Sequence, residues 1–431
     1  MSASASRTHS LMADTASVPG VPSIGIQRAP IAVPHPRRWV IVFARIILRA
    51  FLPYAYNLRV RGDLGILRRR GPFILVGNHQ NFWDPFLAGL YMRAVPQFVT
   101  SDNIFRGGFF SYVMKGVGSI PISKYMRNTD TIRMISGVLK RGGVVGLYPE
   151  SDRTYDGRSL PVRPEVVKLI RMMRVPVVGV HQRGGFLSGP KWGPHRRRGR
   201  IDLTYSLLYD PEKEGAIAQD ELLSRVQALV QHDEMRLQRS DPVAFRSDRP
   251  AEGLERFLYE CPCCADLQTH RTTADRMICM SCGLETTMDE YGLLHPSSDL
   301  GDGASDPGSG DWDLLETWSR KQSANLKRRL LTSRPGHAIF IQQVEVFTGF
   351  RTRRLVSIGV GSAVCHSGGI TVTIDACHLD FEFGKIEGAT VQNSEQFEFY
   401  YDGTLFRFGH TSTSQSGYIW YDAVRQACGE A

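Results

Sequence analysis

Apolar positions along the chain follow two different periods. Between Leu58 and Gln238, "FILVGN", "GVVGLYP" and "VPVVGVH" are apolar at nearly every position. That is the pattern of strands covered on both faces. Between them, "TDTIRMISGVLKRGG" has a helical period, with Thr129 or Asp130 near its start and glycine at its close. "AQDELLSRVQALVQHDEMRLQ" reads as one long closing helix. Strands alternating with helices predict an α/β layered domain. Toward the C-terminus the period drops to two, in "HAIFIQQVEVF", "GITVTIDA" and "EQFEFYYDGTLFRF". Asp402-Gly403 between two alternating runs predicts a hairpin, and "SGYIWYDAVRQAC" a final helix. The expectation here is a β-rich domain with a closing helix, pleckstrin-homology- or GRAM-like in pattern. "HPSSDLGDGASDPGSGDWD" cannot build a core and predicts a linker.

One segment stands apart. "RRWVIVFARIILRAFLPYAY" is interrupted by Arg45 and Arg49 and stopped by Pro53, short of the ~20 apolar residues of a membrane span. As a helix it puts Arg38, Arg45 and Arg49 on one side and Trp39, Phe43, Ile47 and Phe51 on the other. It suits a helix lying in a membrane interface, arginines among headgroups, or one packed on its own core. "MSASASRTHSLMADTASVPGVPS" lacks the apolar core of a signal peptide and reads as a disordered leader.

The 431 residues suffice for two or three domains, and a net charge of +9 favours an acidic partner: phosphate groups, an anionic membrane face or nucleic acid. None of the 8 cysteines precedes Cys261, and five lie between Cys261 and Cys282. Clustering of this kind points to a metal site in a reducing compartment rather than a disulfide framework. Cys261-x-x-Cys264 and Cys279-x-x-Cys282 have the spacing of a zinc ribbon, with a closed thiolate set for structural Zn²⁺. Cys263 is a bystander in this reading and His270 a lesser ligand candidate. The run Lys191, Arg196, Arg197, Arg198 and Arg200 suits an anionic bilayer.

Four segments occur in order: "NHQNFWD", "GSIPISK", "YPESDRT" and "VPVVGV". Over roughly residues 60–210 they resemble the glycerolipid acyltransferase family, whose best-known member is lysophosphatidic acid acyltransferase. The resemblance implies that His79 is a general base for an acceptor hydroxyl attacking a thioester. Asp84 would orient its ring and raise its pKa from ~6.5, with helix capping by Asp84 ahead of Pro85 a compatible second role. Lys124, Glu150 and Arg153 fall on acceptor-binding positions, and Arg127 lies near enough to assist. Ser151 and Asp152 replace the family's Gly and Thr, and Ser123 and Lys124 its Asp and Arg. Asp152 therefore needs a cation beside it if a phosphate is to bind.

The expected division is a leader over 1–36, an amphipathic interface helix over 37–57 and an acyltransferase domain over 58–240. A zinc ribbon over 252–295, a linker over 296–313 and the β-rich domain over 314–431 follow. The implied activity is acyl transfer from acyl-CoA or acyl-ACP to a lysophospholipid, in phospholipid biosynthesis. The implied place is the cytoplasmic face of a membrane, on anionic phospholipid. The competing reading is a non-catalytic zinc-ribbon scaffold or nucleic-acid-binding protein with a degenerate acyltransferase domain.

Overall fold

A computed structural model describes residues 33–123, 129–297, 313–392, 395–412 and 415–429. Lys124, Arg127 and almost all of the expected leader and linker lie outside the described residues.

The first region runs α1 (Arg38–Ala55), β1 (Asn57–Gly62), β2 (Phe73–Gly77), α2 (Asp84–Gly89), β3 (Pro96–Ser101), α3 (Gly108–Gly116), β4 (Ile120–Ile122), α4 (Thr129–Lys140) and β5 (Val144–Leu147). It continues through α5 (Pro164–Met173), β6 (Val177–Arg183), α6 (Gly185–Ser188), β7 (Arg200–Tyr209), α7 (Pro211–Glu214), α8 (Gln219–Val230) and α9 (Glu234–Ser240). The sheet order is β1-β7-β6-β2-β5-β3-β4. It is parallel except where β7 runs against β6. Every residue of β2 and β5 is buried, because both faces are covered. Ile74, Val76, Val145 and Leu147 pack with Ile135, Val138, Val167 and Val226 of α4, α5 and α8. Phe73, Leu75 and Val144 meet Leu52 and Leu87 of α1 and α2 on the opposite face. The expected closing helix is two helices: Asp233 accepts from the Arg236 N–H at 3.0 Å and starts α9 afresh.

Helix α1 reverses the expected orientation of its arginines. Arg45 donates to the Met92 carbonyl at 2.5 Å and Arg49 to that of Leu90 at 3.2 Å. Those two guanidiniums face the protein, whereas Trp39, Phe43, Ile46 and Ile47 are exposed. Among the described residues no helix is long and apolar enough to cross a membrane.

Four short strands follow: β8 (His270–Thr273), β9 (Arg276–Cys279), β10 (Glu285–Met288) and β11 (Leu294–Pro296). Then come α10 (Leu315–Thr332), β12 (Phe340–Gly349), β13 (Val356–His366), β14 (Gly369–Ile374), β15 (Cys377–Glu382), β16 (Ile386–Gln392), β17 (Gln396–Tyr401), β18 (Thr404–His410) and α11 (Gly417–Cys428). The last seven strands form one antiparallel sheet, β15-β14-β13-β12-β18-β17-β16, closed by α11. Asp402 and Gly403, at φ +47° and +74°, make the two-residue turn between β17 and β18, as the hairpin signal requires.

These regions are not separate beads. One core runs from Phe186 and Trp192, through Phe257, Tyr259 and Met277, into Phe397, Phe408 and Trp420. Helix α10, mostly polar in sequence, ties them together: Gln322 accepts from the Tyr259 N–H at 3.0 Å and donates to the Phe257 carbonyl at 2.9 Å.

Candidate functional site

In a parallel sheet the loops after the strands' carboxyl ends are free to carry chemistry. Here β2 ends at Gly77 and the loop to α2 turns over the end of the sheet. Asn78 stitches it down, donating to the Gln182 carbonyl at 2.8 Å and accepting the Gln182 N–H at 2.7 Å.

Asp84 organises this turn. Its Oδ2 accepts from the N–H groups of Gln80 at 2.6 Å and Asn81 at 2.8 Å and lies 2.9 Å from His79 Nδ1. Its Oδ1 accepts from Gln182 Nε2 at 2.5 Å. Four donors offset the cost of burying the carboxylate, which is 1% exposed. The side chain is turned back into the loop that precedes it. Asp84 is therefore the first residue of α2 and caps nothing; Trp83 holds the N-cap position without a side-chain bond. The capping role expected for Asp84 is overturned, while its bond to His79 is present.

His79 is held three ways: by Asp84, by its own N–H donating to Glu150 Oε1 at 2.8 Å, and by stacking on Tyr148 at 4.3 Å between centroids. Tyr148 in turn stacks on Phe98 at 5.7 Å. The Phe98 ring lies where a Cβ on Gly146 would come within 2.3 Å, so the stack requires glycine in β5. With Nδ1 facing a carboxylate, the neutral ring carries its proton there and its lone pair on Nε2. Nε2 makes no hydrogen bond among the described residues, and the ring lines a cavity of about 900 Å³. Burial pushes the imidazole below its ordinary value, outweighing the upward pull of Asp84. The expected rise in its pKa is thus reversed, and the ring is more completely neutral at pH 7.

The loop after β5 supplies the other side of the site. Glu150 is 4% exposed, with Oε1 on the His79 N–H and Oε2 on the Leu160 N–H, both at 2.8 Å. Burial pushes its carboxyl up to about 8, against those two donors. Its oxygens are spent on backbone behind His79, not on the cavity where the resemblance set it. Arg153 does line the cavity. Ser151 sits at φ +65°, a left-handed conformation that glycine adopts without strain; the family's glycine at this place has that physical reason. The cation Asp152 needs is Lys191, whose Nζ is 2.9 Å from Oδ1 and whose side chain is 2% exposed. Its ammonium also stands 4.2 Å from the Tyr155 ring centroid. Only the isolated basic run of the sequence hinted at it.

The cysteine quartet is a separate centre. The sulfurs of Cys261, Cys264, Cys279 and Cys282 all lie within 4.8 Å of one another. Cys261 and Cys282 are 3.6 Å apart and Cys264 and Cys279 3.7 Å. Tetrahedral Zn²⁺ with ~2.3 Å bonds needs sulfurs about 3.8 Å apart, so the set fits such an ion. Cys263 stands outside the quartet, and His270 is turned elsewhere, its Nδ1 2.8 Å from the Leu258 carbonyl.

Comparison with known proteins bears on the first region. Residues 58–182 match the Acyltransferase family. This segment is an acyltransferase-family domain. The 1-acyl-sn-glycerol-3-phosphate acyltransferase BAT2, chloroplastic, of Brassica napus is 26% identical over 127 residues, 29% of this chain and 37% of that protein. The 1-acyl-sn-glycerol-3-phosphate acyltransferase LPAT1, chloroplastic, of Arabidopsis thaliana is 26% identical over 105 residues, 24% of this chain and 29% of that protein. The chain thus spans 37% and 29% of the length of these relatives. The crystal structure of the 1-acyl-sn-glycerophosphate (LPA) acyltransferase PlsC from Thermotoga maritima is 21% identical with a TM-score of 0.37, covering 44% of this chain and 79% of that one. The acyltransferase-family domain contains His79, Asp84, Glu150 and Arg153; the quartet and the β-domain lie beyond the match.

Proposed function

We propose that the chain is a peripheral O-acyltransferase on the cytoplasmic face of a membrane. It moves a fatty acyl group from acyl-CoA or acyl-ACP to the free hydroxyl of a lysophospholipid, 1-acyl-glycerol-3-phosphate. The observation that carries this reading is a histidine with Nδ1 fixed by a buried carboxylate and Nε2 on a large cleft. Nε2 takes the proton of the acceptor hydroxyl as its oxygen attacks the thioester carbonyl. The carbon–sulfur bond breaks as the ester forms, and the imidazolium returns the proton to the departing thiolate. Asp84 holds the tautomer and stabilises the imidazolium. No protein nucleophile is needed, because the thioester is already activated.

Membrane seating follows from α1. Its outward apolar face continues through the Trp39–Tyr112 and Phe51–Trp83 ring contacts to Phe82 and Phe110, which line the cleft. That path would bring a lysolipid from bilayer to His79 with its chain covered. Zinc in the quartet would be structural, since four thiolates leave no open position.

Purified protein is given labelled oleoyl-CoA and 1-oleoyl-glycerol-3-phosphate on anionic vesicles. Transfer by wild type and its loss in His79→Ala are the expected results; equal transfer by both removes the proposed base. Metal content falls in Cys261→Ser if the quartet holds zinc, and an unchanged content rejects that part alone.

A further inference from the structure

The cleft is not closed by the acyltransferase-family domain alone. Phe347, Arg354, Leu355, Val391, Gln392 and Arg407 of the β-domain line the same cavity as His79.

The two walls are fastened by a buried network. Arg106, just after β3, donates to both Glu398 oxygens at 3.0 and 2.8 Å and to the Arg351 carbonyl at 2.7 Å. Arg407 donates to Glu398 at 2.8 Å, and Asp102 lies 3.7 Å from Arg106. The Glu398 side chain is 3% exposed and that of Arg106 10%. Asn103 donates to Gln392, and Thr390 donates to Asp152 Oδ2 at 3.3 Å. Arg106 and Arg407 are both spent on Glu398 and Asp102, so this network fixes the two walls together.

The charge left for an anion is elsewhere. Lys191 is engaged by Asp152. Arg354, at the exposed end of the β12–β13 connection, lines the cleft and makes no hydrogen bond or ion pair among the described residues. Phe347, Leu355 and Val391 give the same wall an apolar surface.

We propose that the β-domain is the second half of the acceptor site. Arg354 takes the phosphate monoester of the acceptor opposite Arg153, while Phe347, Leu355 and Val391 cover its chain. A phosphate monoester carries about −1.5 to −2 charges at neutral pH, which one guanidinium does not neutralise. This deepens the acyl-transfer reading above and rests on it.

The full chain is assayed with oleoyl-CoA and either 1-oleoyl-glycerol-3-phosphate or monooleoylglycerol, the same acceptor without its phosphate. Arg354→Ala should raise KM for the phosphate acceptor about 10-fold or more, with kcat within about twofold. Arg354→Lys should recover part of the loss, and monooleoylglycerol should see no change. An unchanged KM, or equal losses with both acceptors, overturns the proposal while leaving the acyl-transfer reading intact. If wild type transfers to neither acceptor, that reading fails instead. Equilibrium binding of 1-oleoyl-glycerol-3-phosphate then decides: weaker binding by Arg354→Ala upholds the anion site, and equal binding rejects it.

Discussion

The first region contains two buried histidine–carboxylate pairs of nearly the same length. His79 Nδ1 lies 2.9 Å from Asp84, and His232 Nε2 lies 3.0 Å from Glu234. What separates them is the second nitrogen. His79 keeps 20% of its side chain exposed, lines the cleft and makes no hydrogen bond through Nε2 among the described residues, whereas His232 is 1% exposed and spends Nδ1 on His181 Nε2 at 3.2 Å. A carboxylate bond orients a histidine, but only an open lone pair beside a space for substrate makes it a base. His232 is architecture: Glu234 also accepts the Gly184 N–H at 2.7 Å and so pins β6 to α9.

Removing each ring should therefore act on different quantities. His79→Ala should lower kcat/KM about 100- to 10,000-fold with little change in melting temperature. His232→Ala should leave turnover per folded molecule within a few-fold but cost about 3–5 kcal/mol, because Glu234 is stranded in the interior. Calorimetry beside the transfer assay separates the two. Large turnover loss in His232→Ala at unchanged stability would erase the distinction.

Asp84→Asn changes the carboxylate while keeping the ring. The amide offers one accepting oxygen and an NH2 group with two donors where four donors converge, so the imidazole loses its fixed tautomer. A fall of up to about 10,000-fold in kcat is expected, smaller than or equal to that of removing the ring. Unfolding should also be easier by about 1–3 kcal/mol. Unchanged kcat would leave Asp84 a loop organiser only.

The pairs also differ in their response to pH. The proposed base must be neutral, so activity should rise with pH through the folded pKa of His79, which burial holds below ~6.5. At pH 6.5 the enzyme should be past half of its maximal kcat/KM; an acid limb centred above that value would refute the desolvated ring. For Glu234, burial raises the carboxyl, but His232 and the Gly184 N–H bring it down further, for a net fall. A depressed carboxyl adds stability above its unfolded value of ~4.3. That contribution disappears as pH drops through the folded value.

Much of this was legible in the sequence where the signal is local. Fully apolar runs gave the covered strands, paired Cys-x-x-Cys spacing gave the quartet, and the spacing of His79 and Asp84 gave a pair that the fold brings to 2.9 Å. Contacts between distant residues were hidden. Nothing in "NHQNFWD" tells whether Asp84 turns forward to cap α2 or back onto Gln80 and Asn81. Lys191 reaches Asp152 across 39 positions, and Thr390 across 238. Helix α10 is mostly polar, with its buried Leu315, Trp318, Leu326 and Leu330 spaced widely beside a Gly/Ser/Asp run. The amphipathic pattern of α1 was plain, but which face met the protein depended on the carbonyls of Leu90 and Met92.

The smallest expected effect concerns the backbone beneath the active pair. Ser151 follows Glu150, whose Oε1 accepts the His79 N–H, and it does so at φ +65°. A non-glycine residue there costs about 1–2 kcal/mol. Glycine removes the side-chain clash but gives back part of the gain through a freer unfolded chain, so Ser151→Gly should stabilise by about 1 kcal/mol or less. Turnover should be unchanged, because the loop keeps its conformation and Glu150 its two amides. A rise in melting temperature with constant kcat would show that strain is incidental to the base. A fall in kcat at raised stability would show that the serine itself keeps the loop tight behind His79.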